Sequence, residues 1–342
     1  MKFQRCLSYD DVLLAPQYSN IRSRSEVSIG NSLDDERSFA LPVISAPMDT
    51  ITESTMAIAM GLAGGLGVIH RYNTIEEQAN IAFQCREFGI KKIAAAIGIT
   101  GDYLERAEML ILMGASILCL DVAHGHHEMM KEAITKIKDR FPYVHIMAGN
   151  IATKQAFEDL ASWGADSIRI GIGGGSICST RIQTGHGIPT FQSVLDCASS
   201  GASKDVRIIA DGGIRNSGDI VKALAAGADF VMLGSILSGT DQTPGPILTS
   251  PQGKKYKTYR GMASKEAQFD WRGKHSSNEG ISTTVPYRGS VQHLLQDLDN
   301  GIRSGFSYSG AWNMDELHAK SQFIFQTTAG QTESGTHILG RK

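Results

Sequence analysis

The chain is poor in whatever would tie it to a membrane, a nucleic acid or a disulfide scaffold. No apolar run reaches the roughly 18 residues that span a bilayer. The opening Met1-Lys2-Phe3-Gln4-Arg5-Cys6 lacks the apolar stretch of a secretory signal. Neither charge sign is in surplus: 33 basic residues face 35 acidic ones, and no Lys/Arg block interrupts the mixture. Binding to nucleic acid or to an anionic membrane is therefore not expected. Five scattered cysteines, with no Cys-x-x-Cys pair, exclude a disulfide framework and a structural zinc site, so a cytoplasmic setting is expected. Internal repeats beyond the period described below and low-complexity segments are also missing. At 42% hydrophobic and 20% charged residues the composition is that of an ordinary globular protein with ample material for a core. Glycine is the outlier, with 37 residues, many in clusters. Some part of the fold needs bare backbone.

Short apolar runs that end in Gly, Asp, Asn or Ser and lead into an amphipathic pattern recur eight times, at 42–46, 66–70, 92–98, 116–121, 144–149, 166–171, 206–211 and 229–234. Their starts lie 22 to 28 residues apart, except for one step of 40 after the sixth run. Caps mark the intervening helices. Thr74 with Glu77 forms a capping box, Thr153 opens a helix that Gly164 closes, and Ser217 opens one that Gly227 closes. Eight βα units at this spacing predict a single-domain α/β fold, a (β/α)8 TIM barrel, rather than a doubly wound sheet. Residues 1–40 form an N-terminal arm with a strand-like run at 12–15, and 41–250 hold the barrel strands. Residues 251–342 read as a polar, mobile stretch at 264–278, a helix near 291–298 and a tail.

In such a barrel chemistry sits at the C-terminal strand ends. The seventh and eighth runs end in Asp211-Gly212-Gly213 and Gly234-Ser235, each leading into a helix. Backbone N–H groups there can cradle a phosphate, with Asp211 either on ribose hydroxyls or simply capping a helix. The loop after the sixth run, Gly171-Ile172-Gly173-Gly174-Gly175-Ser176-Ile177-Cys178-Ser179-Thr180-Arg181, carries four glycines and the only cysteine in a polar loop on this face. Cys178 is a candidate nucleophile, Thr180 and Ser176 supply hydroxyls, and a small loop residue without chemistry is the alternative. Asp121, at the fourth strand end, is followed by His124, His126 and His127. Their spacing is too tight for a helical zinc pair, so solvated or supporting histidines are expected. Arg22 and Arg24 flank Ser23 and suit either a phosphate or plain solvent.

Together with Tyr9-Asp10-Asp11-Val12-Leu13-Leu14, Ile214-Arg215 and Tyr259-Arg260-Gly261-Met262, these motifs resemble the IMP dehydrogenase/GMP reductase family over nearly the whole chain. The resemblance implies that Cys178 attacks C2 of a purine nucleotide, with Thr180 and Glu279 as its partners. It implies nucleotide contacts from Met48, Ser176, Asp211, Gly212, Gly213, Gly234, Ser235, Gly261, Met262, Ala263 and Gly280. Cofactor contacts would come from Ser23, Arg24, Arg71, Asp121, Val122, Ala123, Ile172, Gly173 and Ser304. A potassium or similar monovalent cation would sit at Gly173, Gly175, Cys178 and Arg181, and the assembly would be a homotetramer. No regulatory insert follows the second strand, and the segment between Met262 and Glu279 is short and lacks the Arg-Tyr pair of the dehydrogenases. Both features point to the reductase branch, with NADPH-dependent deamination of GMP to IMP. A short dehydrogenase acting on IMP with NAD is the alternative. The chain departs from the reductase pattern at His124 (usually Asn), Gly174 (usually Pro), Ala263 (usually a hydroxyl residue) and Ser276 (usually Arg).

Overall fold

The computed structural model describes residues 3–274 and 278–336, so Ser276 lies outside the described residues. Eight parallel strands close into a barrel: β1 (Val43–Ser45), β2 (Leu66–Ile69), β3 (Ile93–Ile97), β4 (Ala115–Asp121), β5 (His145–Ile151), β6 (Ser167–Ile170), β7 (Arg207–Asp211) and β8 (Phe230–Leu233). Closure comes from β8 against β1, with Val231 opposite Val43 and Leu233 opposite Ser45. The strands are apolar runs because both of their faces are covered. Ile93-Ala94-Ala95-Ala96-Ile97 is buried at every position. Alternate residues fill the interior (Ile44, Val68, Ala96, Cys119, Met147, Met232), while the others meet the helix ring. At the N-terminal mouth, His145 accepts or donates to Asp34 at 2.7 Å and to Ser167 at 2.9 Å, and Arg37 donates to Asp34 at 2.8 Å.

The ring comprises α1 (Ser54–Leu62), α2 (Ile75–Glu87), α3 (Tyr103–Leu112), α4 (Glu128–Arg140), α5 (Lys154–Ser162), α6 (Thr190–Ala198), α7 (Ser217–Ala225) and α8 (Val291–Tyr308). The Thr74/Glu77 capping box forms, and Thr153 caps α5 by accepting from the Ala156 N–H. For α7 the cap is Asn216 rather than Ser217. The Asn216 side chain accepts from the Asp219 N–H, and Ser217 becomes the first helical residue. The expected helix near 291–298 runs on to Tyr308, because Ile302 and Phe306 continue its buried face. The arm strand Val12–Leu14 pairs antiparallel with Phe323–Phe325.

The polar stretch after residue 264 is not an irregular loop. Ser264 caps a helix, Lys265–Arg272, by accepting from the Ala267 N–H, and Arg260 anchors it through Asp270 at 2.5 Å. Capping and that ion pair form a helix whose composition shows no apolar stripe. A hairpin of β9 (Lys255–Arg260) and β10 (Ser282–Pro286) carries it over the C-terminal mouth of the barrel. No helix among the described residues is long and apolar enough to cross a membrane.

Candidate active site

At the C-terminal mouth the strand ends surround a cavity of about 480 Å³. Its floor is electrostatic. Arg169, in the middle of β6, is buried and donates through Nη1 to Asp121 Oδ1 at 2.7 Å and through Nη2 to Asp211 Oδ2 at 3.0 Å. Asn150 adds an amide bond to Asp211 Oδ2 at 2.8 Å, and Arg71 Nε lies 3.5 Å from Asp121 Oδ2. Burial works against the Asp121 carboxylate, yet the Arg169 and Arg71 guanidiniums hold its pKa below the ordinary value. Asp121 is thereby kept ionised, and both carboxylates act as hydrogen-bond acceptors at the cavity wall.

Above them lie the glycine loops. Gly171 has φ +153°, and a Cβ there would sit 1.8 Å from the Asp211 carbonyl oxygen, so no other residue fits. Gly234 passes close under Met48 and Tyr259, with a Cβ placed 3.2 Å from Met48 Sδ and Tyr259 Oη. Among the described residues, the N–H groups of Gly213, Ile214, Gly234 and Ser235 take no backbone partner. The first of these loops leads into α7, whereas Gly234-Ser235 opens a series of turns rather than the expected helix, and such a row of free donors suits a phosphate.

The cysteine loop closes one side. Cys178 Sγ donates to Thr180 Oγ1 at 3.2 Å, and Thr180 Oγ1 donates to Glu279 Oε2 at 2.9 Å. The chain thiol–hydroxyl–carboxylate is held by backbone bonds from the returning hairpin. The Ser179 N–H donates to the Glu279 carbonyl at 2.9 Å and the Ile281 N–H to the Ile177 carbonyl at 3.0 Å. Cys178 is partly exposed, whereas Cys85, Cys119 and Cys197 are buried. Burial pushes the Cys85 and Cys119 thiols up to about 11 and Cys197 up to about 12, which keeps them protonated.

The cavity gathers Met48, Arg71, Asp121, Val122, Ala123, Ile172, Gly173, Gly175, Ser176, Cys178 and Thr180 with the residues flagged at 211–213, 234–235, 261–263 and 279–280. Ser23, Arg24 and Ser304 are not among its walls. Arg24 and Ser304 line a separate surface cavity of about 580 Å³, and Ser23 caps a short helical turn. The Arg181 guanidinium cannot ligate a cation. It lies against Gly173 and Gly187 and donates to the Ile188 carbonyl at 2.9 Å. Among the histidines, His126 bonds Asp159 at 2.8 Å and His127 caps α4. Sequence reasoning missed Arg169, Asn150 and Tyr259. A signal existed for the first, since a guanidinium inside Ser167-Ile168-Arg169-Ile170 has to find a partner.

A model of the IMP dehydrogenase/GMP reductase domain matches residues 6–337. The chain belongs to this family. Members are oxidoreductases of purine nucleotide metabolism that work with a nicotinamide cofactor. An IMP dehydrogenase from Nitrosopumilus maritimus is 34% identical, over 98% of this chain and 99% of its own. One from Borreliella burgdorferi is 36% identical, over 98% of this chain and 97% of its own. Among solved structures, a GMP reductase from Trypanosoma brucei in complex with guanosine 5'-monophosphate superposes with a TM-score of 0.93. It is 29% identical, with 98% of each chain covered.

Proposed function

We propose that this chain is a GMP reductase, catalysing GMP + NADPH + H⁺ → IMP + NH₃ + NADP⁺. The observation that carries the reading is the Cys178–Thr180–Glu279 chain of hydrogen bonds. It offers the thiol proton a route through the threonine hydroxyl to a carboxylate, and the same route returns a proton to a departing amine. The thiolate sulfur adds to C2 of the guanine. Ammonia then leaves with the relayed proton, and C2 remains bound to Cys178 as a thioimidate. A reduced nicotinamide, when bound, would supply the hydride that makes C2 a C–H, and Cys178 would then leave C2 as the restored thiolate.

Other residues position and protect. Asp211, fixed by Arg169 and Asn150, takes the ribose hydroxyls, and the free N–H groups of Gly213, Ile214, Gly234 and Ser235 take the phosphate. Tyr72 stacks on Trp271 of the Lys265–Arg272 helix, with centroids 6.0 Å apart, which covers the reacting carbon against water. The cysteine loop offers neutral backbone oxygens from Gly173, Gly175 and Cys178, a donor set that suits a potassium-like cation. Gly175 O already accepts from the Cys178 N–H at 3.1 Å, so a cation there would stiffen the loop that aims the thiol. Ser23, Arg24 and Ser304 fit a homotetramer in which a neighbouring copy brings them to the cofactor.

The rival reading is a short IMP dehydrogenase, favoured by the relatives of that name and by Arg272 on the cavity wall as a water activator. Purified protein with potassium, GMP and NADPH, run beside IMP and NAD, separates the two. GMP-dependent loss of reduced-nicotinamide absorbance with ammonia release is the expected result. Growth of NADH in the IMP arm alone would overturn the reductase. Cys178→Ala is expected to abolish turnover while GMP binding survives through the phosphate loops.

A further inference from the structure

A second cavity of about 590 Å³ adjoins the first, sharing Arg71, Val122 and Arg272 as walls. Its cationic side chains are not equivalent. Arg71 is engaged with Asp121, both at 3.5 Å to the carboxylate and at 3.1 Å to the carbonyl. Arg106 is saturated by Asp102 at 2.9 Å, Gln78 at 2.9 Å and the Asn73 carbonyl at 3.1 Å. Arg272 has no carboxylate partner among the described residues and lies over the Tyr72 ring at 5.9 Å. One guanidinium charge is therefore left over, and it faces the shared wall.

Two imidazoles complete the set. His127 Nδ1 accepts from the Met129 N–H at 3.1 Å, so the ring proton of the neutral form sits on Nε2 as a donor. His124 has its pKa lowered by burial and by the neighbouring His126, His127 and His186, which favours a neutral ring carrying one N–H. Among the described residues, Asp102 is the only carboxylate on this cavity's wall, and it is spent on Arg106. In doubly wound dinucleotide folds a free carboxylate takes the adenosine ribose hydroxyls whereas an arginine accommodates a 2'-phosphate, and the same charge logic applies to this wall.

We propose that Arg272, flanked by His124 and His127, reads the 2'-phosphate of the adenosine half of the cofactor and so selects NADPH over NADH. The inference rests on the reductase reading for its cofactor and adds the residues that choose it. With the nicotinamide beside Cys178 in the first cavity, the dinucleotide runs past the shared wall into the second.

The test is calorimetric titration of the whole protein with adenosine 2',5'-bisphosphate and with adenosine 5'-monophosphate, which needs no turnover. Wild type is expected to prefer the bisphosphate. Arg272→Gln is expected to cut that preference about 10- to 100-fold, the range of a charge-assisted hydrogen bond, with the monophosphate little changed. Arg272→Lys, which keeps the charge, should retain most of it, and His124→Asn should lose less than Arg272→Gln. A wild type indifferent between the two ligands, or an Arg272→Gln variant with the preference intact, would overturn the assignment. Bisphosphate preference without GMP reduction would sink the reductase reading alone. GMP reduction that uses NADH as well as NADPH would sink this one alone.

Discussion

Replacing Arg169 by methionine tests the electrostatic floor of the site without reference to any substrate. The guanidinium is 7% exposed and bonds Asp121 at 2.7 Å, Asp211 at 3.0 and 3.3 Å and Cys119 Sγ at 3.2 Å. Methionine fills similar space but strands two carboxylates. Arg71, at 3.5 Å from Asp121, and the neutral Asn150 amide on Asp211 are poor substitutes. Removing one partner from a buried ionic cluster costs about 3–5 kcal/mol. Unfolding entropy near 2.1 cal/mol/K per residue, over 342 residues, gives roughly 0.7 kcal/mol/K, so the melting temperature should fall about 4–7 °C. The pH dependence fixes the cause. In wild type the Asp121 pKa is held down, so its contribution stays constant above about pH 4. In the variant, burial without the Arg169 cation raises the folded-state pKa of Asp121. Protonation then relieves the penalty, and the deficit should shrink as pH falls from about 8 to about 5. Thermal melts followed by circular dichroism at the two pH values read both effects. A variant that melts within about 1 °C of wild type at the higher pH, or one whose deficit is the same at both, would refute the reasoning.

Thr180→Val keeps the shape of the side chain and removes both relay bonds. GMP-dependent NADPH oxidation should fall about 10²- to 10³-fold, with Thr180→Ser far less affected, and a valine variant near the wild-type rate would exclude the relay. At the barrel floor, burial opposes the ionised Asp34 carboxylate, but His145 and Arg37 hold its pKa well below the ordinary range. Its stabilisation is present above the unfolded value and is lost as pH falls through the folded one. Asp34→Asn should therefore lower the melting temperature at neutral pH by a margin that narrows below about pH 4, and a constant margin in a pH series of melts would count against it. If the cofactor site is shared between two copies, mixed oligomers of Cys178→Ala and Arg24→Ala chains should regain sites with the wild-type KM for NADPH, because an intact Cys178 would then meet an intact Arg24 from the other copy. No recovery on mixing would place Arg24 outside the cofactor site.

What could be read from the sequence follows from how far apart the interacting groups lie. Barrel strands such as 93–97 announce themselves because burial on both faces leaves only apolar residues, and capping boxes are local by construction. The backbone cradle is equally local. Gly171, Gly213 and Gly234 stand where strands end, and their lack of side chains is visible without a structure. Side-chain electrostatics are different. Arg169 meets Asp121 from 48 residues away and Asp211 from 42, and Thr180 meets Glu279 across 99. The helix Lys265–Arg272 was hidden for a related reason, since it buries only Ala267 and Gln268 and is held by a cap and by Arg260. The same logic bears on Ser23, Arg24 and Ser304. Resemblance nominates them for the cofactor, yet one chain leaves them in a different cavity from Cys178. If they do serve the cofactor, the contact must come from another copy of the chain. The Arg24→Ala mixing experiment is therefore the step that decides whether one folded chain is a complete catalyst.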